Sequence, residues 1–390
     1  MVFLGVKLNV LFCIFGICSL LVACSIETTK ELPEIKKIYV DPSVKKIVNF
    51  SDVFTDISIV PLETNDTALV PEIEEVFKVH NRFIIKTERK VFIYTLNGEI
   101  ISIIDQLGKG PKEHEYISDI LINSHENTIE FIDFYNMKLL KFNLDGNYIS
   151  SFKLPFFIDA FMNCEGDNYY IYTTDPNDQT INKLNLLNIK TKNVTPLNYP
   201  IDLHQNEYLN FWRNTVFYGY NNNKYFVINP FDTIYCLGDS ITYKYVVDFK
   251  GHNIPKNFYK KTYSDILEFS NQVAKHNYSY NIDKFHEIEN HLLFKFKQNM
   301  SYERVIYNKG SNVAKVIQSF NDDINTTGTI ITEHIWPKGG TDKEIIFVFE
   351  PLFLKETYSN CNGVLNERLQ EIINYIDYGA NPVLFIANSR

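Results

Sequence analysis

Val91-Phe-Ile-Tyr-Thr-Leu-Asn-Gly98-Glu-Ile-Ile-Ser and Leu139-Leu-Lys-Phe-Asn-Leu-Asp-Gly146-Asn-Tyr-Ile-Ser are one pattern written twice, offset by 48 residues. Tyr94 aligns with Phe142, Leu96 with Leu144 and Gly98 with Gly146. In each copy an Asn-Gly or Asp-Gly pair separates two alternating apolar runs. That is a hairpin signal, because a two-residue type I′ turn needs positive φ at both central residues. Weaker echoes follow at Leu184–Leu197, at Thr233-Ile-Tyr-Cys-Leu-Gly238 and at Val305-Ile-Tyr-Asn-Lys-Gly310. Four-stranded units repeating at 40–50 residues are the signature of propeller blades, and roughly 330 residues of body divided by that period give six or seven of them.

Composition agrees. The chain has 390 residues, 45% hydrophobic and 22% charged, a balance that excludes disorder and fibres. Tyr (25) and Phe (30) abound while Met (4) and Trp (2) are scarce, which suits pleated surfaces. A net charge of −9 argues against a nucleic-acid partner, which needs a basic face.

Residues 1–23 carry Lys7 and then an apolar run, too short for a membrane span and laid out as a secretory signal. They end in Leu21-Val-Ala-Cys24, which resembles the lipobox of bacterial lipoproteins, in which the cysteine is acylated. Several acyl chains on Cys24 give stable anchoring, whereas one alone holds marginally. Residues 24–50, Lys/Glu-rich, are expected to tether a single β domain spanning 51–390. Cys164, Cys236 and Cys361 are well separated and read as free thiols rather than a disulfide framework or a metal pair. Helical spacing occurs at Tyr263–Ala274 and at Leu365–Ile376, so two short helices are expected as insertions. An N-terminal strand at Asp56–Leu62 is placed to pair beside the last strand, Val383–Ile386, and close the ring.

Five short motifs in order resemble those of the six-bladed, NHL-repeat-like β-propeller lipoproteins of Gram-negative gut-type bacteria. They are Ile59-Val-Pro-Leu-Glu-Thr64, Val91–Gly98, Gly108-Lys-Gly-Pro-Lys-Glu-His-Glu-Tyr116, Asp232-Thr-Ile-Tyr235 and Asn381-Pro-Val-Leu384. The third has two extra residues between its Gly-Pro and its Glu-Tyr. The resemblance implies an all-β, six-bladed propeller of four-stranded blades, exported and lipid-anchored at the outer membrane, and no established activity.

No standard catalytic constellation is present. Asn321–Gly328 has oxygen ligands at alternating positions, but its glycine falls two places late for a calcium loop, so a solvated turn is expected. His114, between Glu113 and Glu115, reads as part of an exposed loop, and Gly108–Tyr116 as a structural turn between blades. Tyr208, Phe211, Trp212, Phe217, Tyr218, Tyr220 and Tyr225 form an aromatic stretch. Such residues pack between blades more often than they bind, but Trp212, Arg213, Tyr218 and Tyr220 are the candidate contacts for a sugar or peptide. The expected function is a lipid-tethered binding or scaffold module for a protein or glycan of the envelope, without a cofactor. The alternative is a propeller enzyme of lyase or lactonase type, with a divalent metal held in the central channel.

Overall fold

In the computed structural model the described residues are 35–173, 183–197, 216–228, 230–238, 240–331, 335–359 and 364–390. Residues 1–34, with Cys24, and Trp212, Arg213 and Cys361 lie outside them.

The chain enters through β1 (Lys36–Tyr39), β2 (Lys45–Asn49) and β3 (Phe54–Pro61). Five antiparallel four-stranded meanders follow. They are β4–β7 (Glu75–Val79, Arg82–Lys86, Val91–Thr95, Ile100–Ile104) and β8–β11 (Ile117–Asn123, Thr128–Asp133, Lys138–Asn143, Tyr148–Lys153). Next come β12–β15 (Ala160–Asn163, Asn168–Tyr172, Leu184–Asn188, Val194–Pro196) and β16–β19 (Phe217–Tyr220, Asn223–Val227, Thr233–Leu237, Thr242–Asp248). The fifth is β20–β23 (Ser279–Glu287, His291–Gln298, Ser301–Asn308, Val313–Asp322). The chain ends with β24 (Thr329–Ile331), β25 (Gly339–Gly340), β26 (Glu344–Phe349) and β27 (Val383–Ser389).

The hairpins that announce the fold are present, but their turns differ from expectation. Gly98 and Gly146 have φ of +86° and +82°, while Asn97 and Asp145 are not in the positive region. Both ladders shift register at equivalent places, Ile93/Tyr94 and Lys141/Phe142. A single left-handed glycine plus a bulge is the three-residue hairpin closed by a G1 bulge, not the two-residue type I′ turn. Each bulge adds local twist to the outer strand.

Three elements close the fold. β3 pairs antiparallel with β27, Val383 opposite Pro61, as the sequence leads one to expect. β25 touches β4 through a single parallel pair, Gly339 with Val76, so β3-β27-β26-β25-β4-β5-β6-β7 is one eight-stranded sheet. A Cβ at Gly339 would lie 1.7 Å from the Val76 carbonyl oxygen, so only glycine permits that contact. The third device was not expected: β1 and β2 pair in parallel with the outer strands β19 and β23. From Ile35 onward the stretch assigned to a tether is therefore part of the body, because Ile38, Val40, Val48 and Phe50 are fully buried in it.

Among the described residues the hydrogen-bonded sheets number five, not the six separate sheets expected. The hydrophobic clusters nevertheless lie between successive four-stranded runs all the way round. One joins Ile84 and Ile93 to Ile120 and Phe131, and another joins Phe161 to Ile132 and Leu139. Others link Tyr172 to Phe226, Tyr225 to Phe294 and Leu293 to Phe347. The last joins Ile346 and Leu384 to Phe83 and Phe92, back at the first meander. The arrangement is all-β and propeller-like.

Among the described residues there are three α-helices rather than two: α1 (Ile266–Lys275), α2 (Pro351–Ser359) and α3 (Glu367–Tyr375). The sequence pattern missed α2, whose Pro351 occupies the first helical position, where its missing N–H costs nothing. The Asn321–Gly328 turn is neither solvated nor a calcium loop. Asp322 is fully buried and accepts from the Asn325 N–H at 2.9 Å and the Tyr358 hydroxyl at 2.8 Å. Asn366, the N-cap of α3, donates to Asn325 Oδ1 at 2.7 Å and accepts from the Leu369 N–H at 2.7 Å. The turn seats both helices.

Candidate functional site

The inner strand of every four-stranded run sends a side chain into one cavity of about 350 Å³. Glu75 comes from β4, Ser118 and Asp119 from β8, Ala160 from β12, Phe217 from β16, and Asp283 and Lys284 from β20. Lys338, immediately before β25, completes the set. Glu75, Ala160 and Phe217 open their strands and Ser118 and Asp119 follow within the first three residues of β8, whereas Asp283 and Lys284 lie in the middle of β20. A concave, largely pre-formed pocket with a few convergent polar groups is the usual form of a binding site.

Its charges are graded by burial. Lys86, almost wholly buried, is ion-paired with Glu74. Asp119 accepts from the Phe161 N–H at 2.8 Å. Burial, with the Glu75 carboxylate beside it, pushes the Asp119 carboxyl up to about 7. The site therefore offers a carboxyl that holds its proton near neutrality, a paired lysine and aromatic walls from Phe134, Tyr172 and Phe217. Ser118 Oγ reaches the Ile132 carbonyl oxygen at 3.5 Å rather than a base, so no activated nucleophile is assembled there. Among the described residues no three His, Cys, Asp or Glu side chains are grouped to hold a metal ion.

Of the candidate contacts read from the sequence, the two that are described, Tyr218 and Tyr220, lie outside the cavity lining. Tyr218, one residue beyond Phe217, points to the other face of β16 and stacks on Phe285 with centroids 4.6 Å apart. Burial and nearby Asp283 hold its hydroxyl well above the ordinary range. Tyr220 lies under the Lys309 ammonium, 4.6 Å from its ring centre. Trp212 and Arg213 fall outside the described residues. His114 is fully buried rather than exposed, with Nε2 2.8 Å from the Arg89 carbonyl oxygen, and burial lowers its pKa. The surrounding loop is structural: Lys138 Nζ donates to the carbonyls of Gly110 (2.9 Å) and Glu113 (2.7 Å). Cys164 and Cys236 are free thiols.

The motifs that carry the family resemblance are likewise fasteners. Asn381 Nδ2 donates to the carbonyls of Glu63 (2.6 Å) and Ala68 (2.8 Å), and its N–H donates to Thr64 Oγ1 at 2.8 Å. The opening and terminal motifs thus meet at the closing seam. Asp232 accepts from Asn253 Nδ2 at 2.7 Å and holds the loop after β19. The cavity residues, by contrast, come one or two at a time from separate strands and share no spacing. In β20 the polar/apolar alternation of residues 279–282 is interrupted by the consecutive polar pair Asp283-Lys284.

A family model described as a domain of unknown function, DUF4934, matches residues 35–388, and the chain belongs to that family. A solved structure of a protein described as exported, from Bacteroides fragilis, is 19% identical. The match covers 91% of this chain and 99% of that one, with a TM-score of 0.73. A member of the duf4221 family from Bacteroides vulgatus is 12% identical over 86% of this chain and 97% of that one, TM-score 0.51. At these identities the likeness is one of fold. No curated protein matches the chain.

Proposed function

We propose that this DUF4934 protein is an exported, lipid-anchored binding module. Its blades form a six-membered ring that presents the axial cavity to a protein or glycan of the cell envelope. The carrying observation is the cavity itself, lined by the inner strands of the five meanders and by Lys338 just before β25, and furnished with charge and aromatic surface. The six-bladed reading takes the eight-stranded sheet as two blades that share one hydrogen-bonded contact, Gly339 with Val76. The hydrophobic clusters between successive runs, six in all, support it.

Leu21-Val-Ala-Cys24 supports export and acylation, as does the fold likeness to a Bacteroides protein described as exported. No helix among the described residues is long and apolar enough to cross a membrane, so in this reading the lipid on Cys24 holds the module to the outer membrane. Trp212, Arg213, Tyr218 and Tyr220 are candidate contacts for the same partner.

Two measurements test the proposal. Cys24→Ala should move the protein from the membrane fraction to the soluble fraction; retention in the membrane would remove the lipid anchor. A crosslinked pull-down from native membranes should recover a stoichiometric partner that Phe217→Glu, in the cavity wall, no longer retains. A lone chain carrying one tightly held divalent ion would instead point to the enzyme reading.

A further inference from the structure

Beside the axial cavity, and sharing Glu72, Lys284 and Lys338 with it, lies a groove of about 630 Å³ between β20–β21 and the segment leading into β25. Three lysines from three separate segments line it: Lys284, Lys295 and Lys338. Several other half-buried lysines are ion-paired, as in Lys86 with Glu74, Lys141 with Glu130 at 3.0 Å and Lys309 with Glu287 at 3.2 Å, while Lys183 is not. These three ammonium groups form no ion pair or hydrogen bond among the described residues. Glu72 and Glu350 line the groove and Asp283 lies nearby, each beyond salt-bridge distance. Arg304, behind Lys295, adds a fourth positive charge but spends its guanidinium on the carbonyls of Ile335 and Gln318.

The backbone is distorted to make this arrangement. β20 shifts register on both sides of Asp283, and Lys284 has φ of +47°, a left-handed conformation that lysine adopts at a cost. Bulges of this kind re-aim side chains at functional positions. Trp336 donates through its indole N–H to the Lys284 carbonyl oxygen at 3.0 Å, which pins the bulge. Burial lowers the pKa of Lys295 to about 8 against the pull of Asp283, and its ammonium lies 5.9 Å and 6.0 Å from the ring centres of Trp336 and Tyr302.

We propose that this groove binds the acid groups of an acidic oligosaccharide. The inference rests on the binding-module reading and names the ligand class. The three lysines would receive carboxylates or sulfates. Trp336, Phe353 and Pro337 give apolar wall for the C–H faces of sugar rings, and Glu72 and Glu350 can accept from ring hydroxyls, which a peptide of acidic residues does not offer. A stiff sugar chain suits three cations fixed on separate segments, since little ligand entropy is lost on binding.

The test is calorimetric titration of the detergent-solubilised full-length protein with trigalacturonate, a sulfated disaccharide, maltotriose and pentaglutamate. At least one acidic sugar should bind one per chain, more weakly as salt rises, and about tenfold or more tighter than maltotriose. Lys284→Met or Lys295→Met should lose about tenfold in affinity, and Lys295→Arg should retain it. Binding of neither acidic sugar, equal binding of maltotriose, or tighter binding of pentaglutamate overturns the proposal. Folding provides a separate reading: Lys295→Met should melt at or above the native chain, because burial of this ammonium outweighs the pull of Asp283 on it. A markedly lower melting temperature would make Lys295 a structural element and end the inference. Lysine variants that still capture the envelope partner but never bound acidic sugar leave the binding module intact and remove this proposal alone.

Discussion

Asp119 is where the electrostatics of the axial cavity act on one group. Its carboxyl is raised from 3.8 to about 7 by burial first and by Glu75 second. Between those two values the folded chain keeps the proton while the unfolded chain has released it, so stability falls as pH rises through that window. Asp119→Asn removes the titration and retains an oxygen for the Phe161 N–H, which donates at 2.8 Å. The variant should therefore match the native protein near pH 4 and exceed it by roughly 2 kcal/mol at pH 8, allowing for water in the cavity. Urea unfolding at the two pH values checks this; a gap that stays constant with pH would mean that Asp119 is ionised throughout. Asp322, fully buried, accepts from two backbone N–H groups and the Tyr358 hydroxyl and belongs to the scaffold rather than to a site.

At the scale of the hairpin, two turns of the same sequence pattern have different neighbours. A Cβ on Gly98 would lie 2.1 Å from the Pro61 carbonyl oxygen, backbone of the closing strand β3; one on Gly146 would lie 2.6 Å from Ser102 Oγ, a side chain that can rotate away. Both substitutions carry the strain of a left-handed alanine. Gly98→Ala should then cost about 3 kcal/mol or more, and Gly146→Ala about 1–2 kcal/mol, measured by denaturant midpoints. Equal costs would show that the closing strand yields as easily as a serine rotamer. These hairpins were legible because a turn is written in the few residues that make it. The amphipathic helices α1 and α3 were legible for the same reason, while α2, apolar and directly continuing a strand, had no period to read. The lysine groove was not legible at all. Lys284, Lys295 and Lys338 are single residues whose proximity comes from packing and from a bulge in β20, and no spacing in the chain encodes either.

For the molecule as a whole, closure depends on pairings between distant parts of the chain. The antiparallel seam of β3 with β27 could be anticipated from two apolar strands at the ends of the repeats. The parallel clasp of β1 and β2 could not, because nothing in Lys36–Asn49 specifies partners more than two hundred residues away. Its lysines suggest a solvated tether, yet Ile38 pairs with Val247 and Val48 with Phe320. Ile38, Val40, Val48 and Phe50 are at most 1% exposed, and each such side chain stabilises by about 1.5–3 kcal/mol. Together they approach the whole net stability of an ordinary domain, about 5–15 kcal/mol. Their loss would also bare the outer edges of β19 and β23, two long strands able to pair with other chains. A chain lacking residues 24–34 should therefore melt like the native body, whereas one lacking 24–50 should unfold at lower temperature and elute as aggregates on size exclusion. If the two truncated chains melt and elute alike, the clasp is an ornament, and the meanders with their β3–β27 seam suffice to hold the ring.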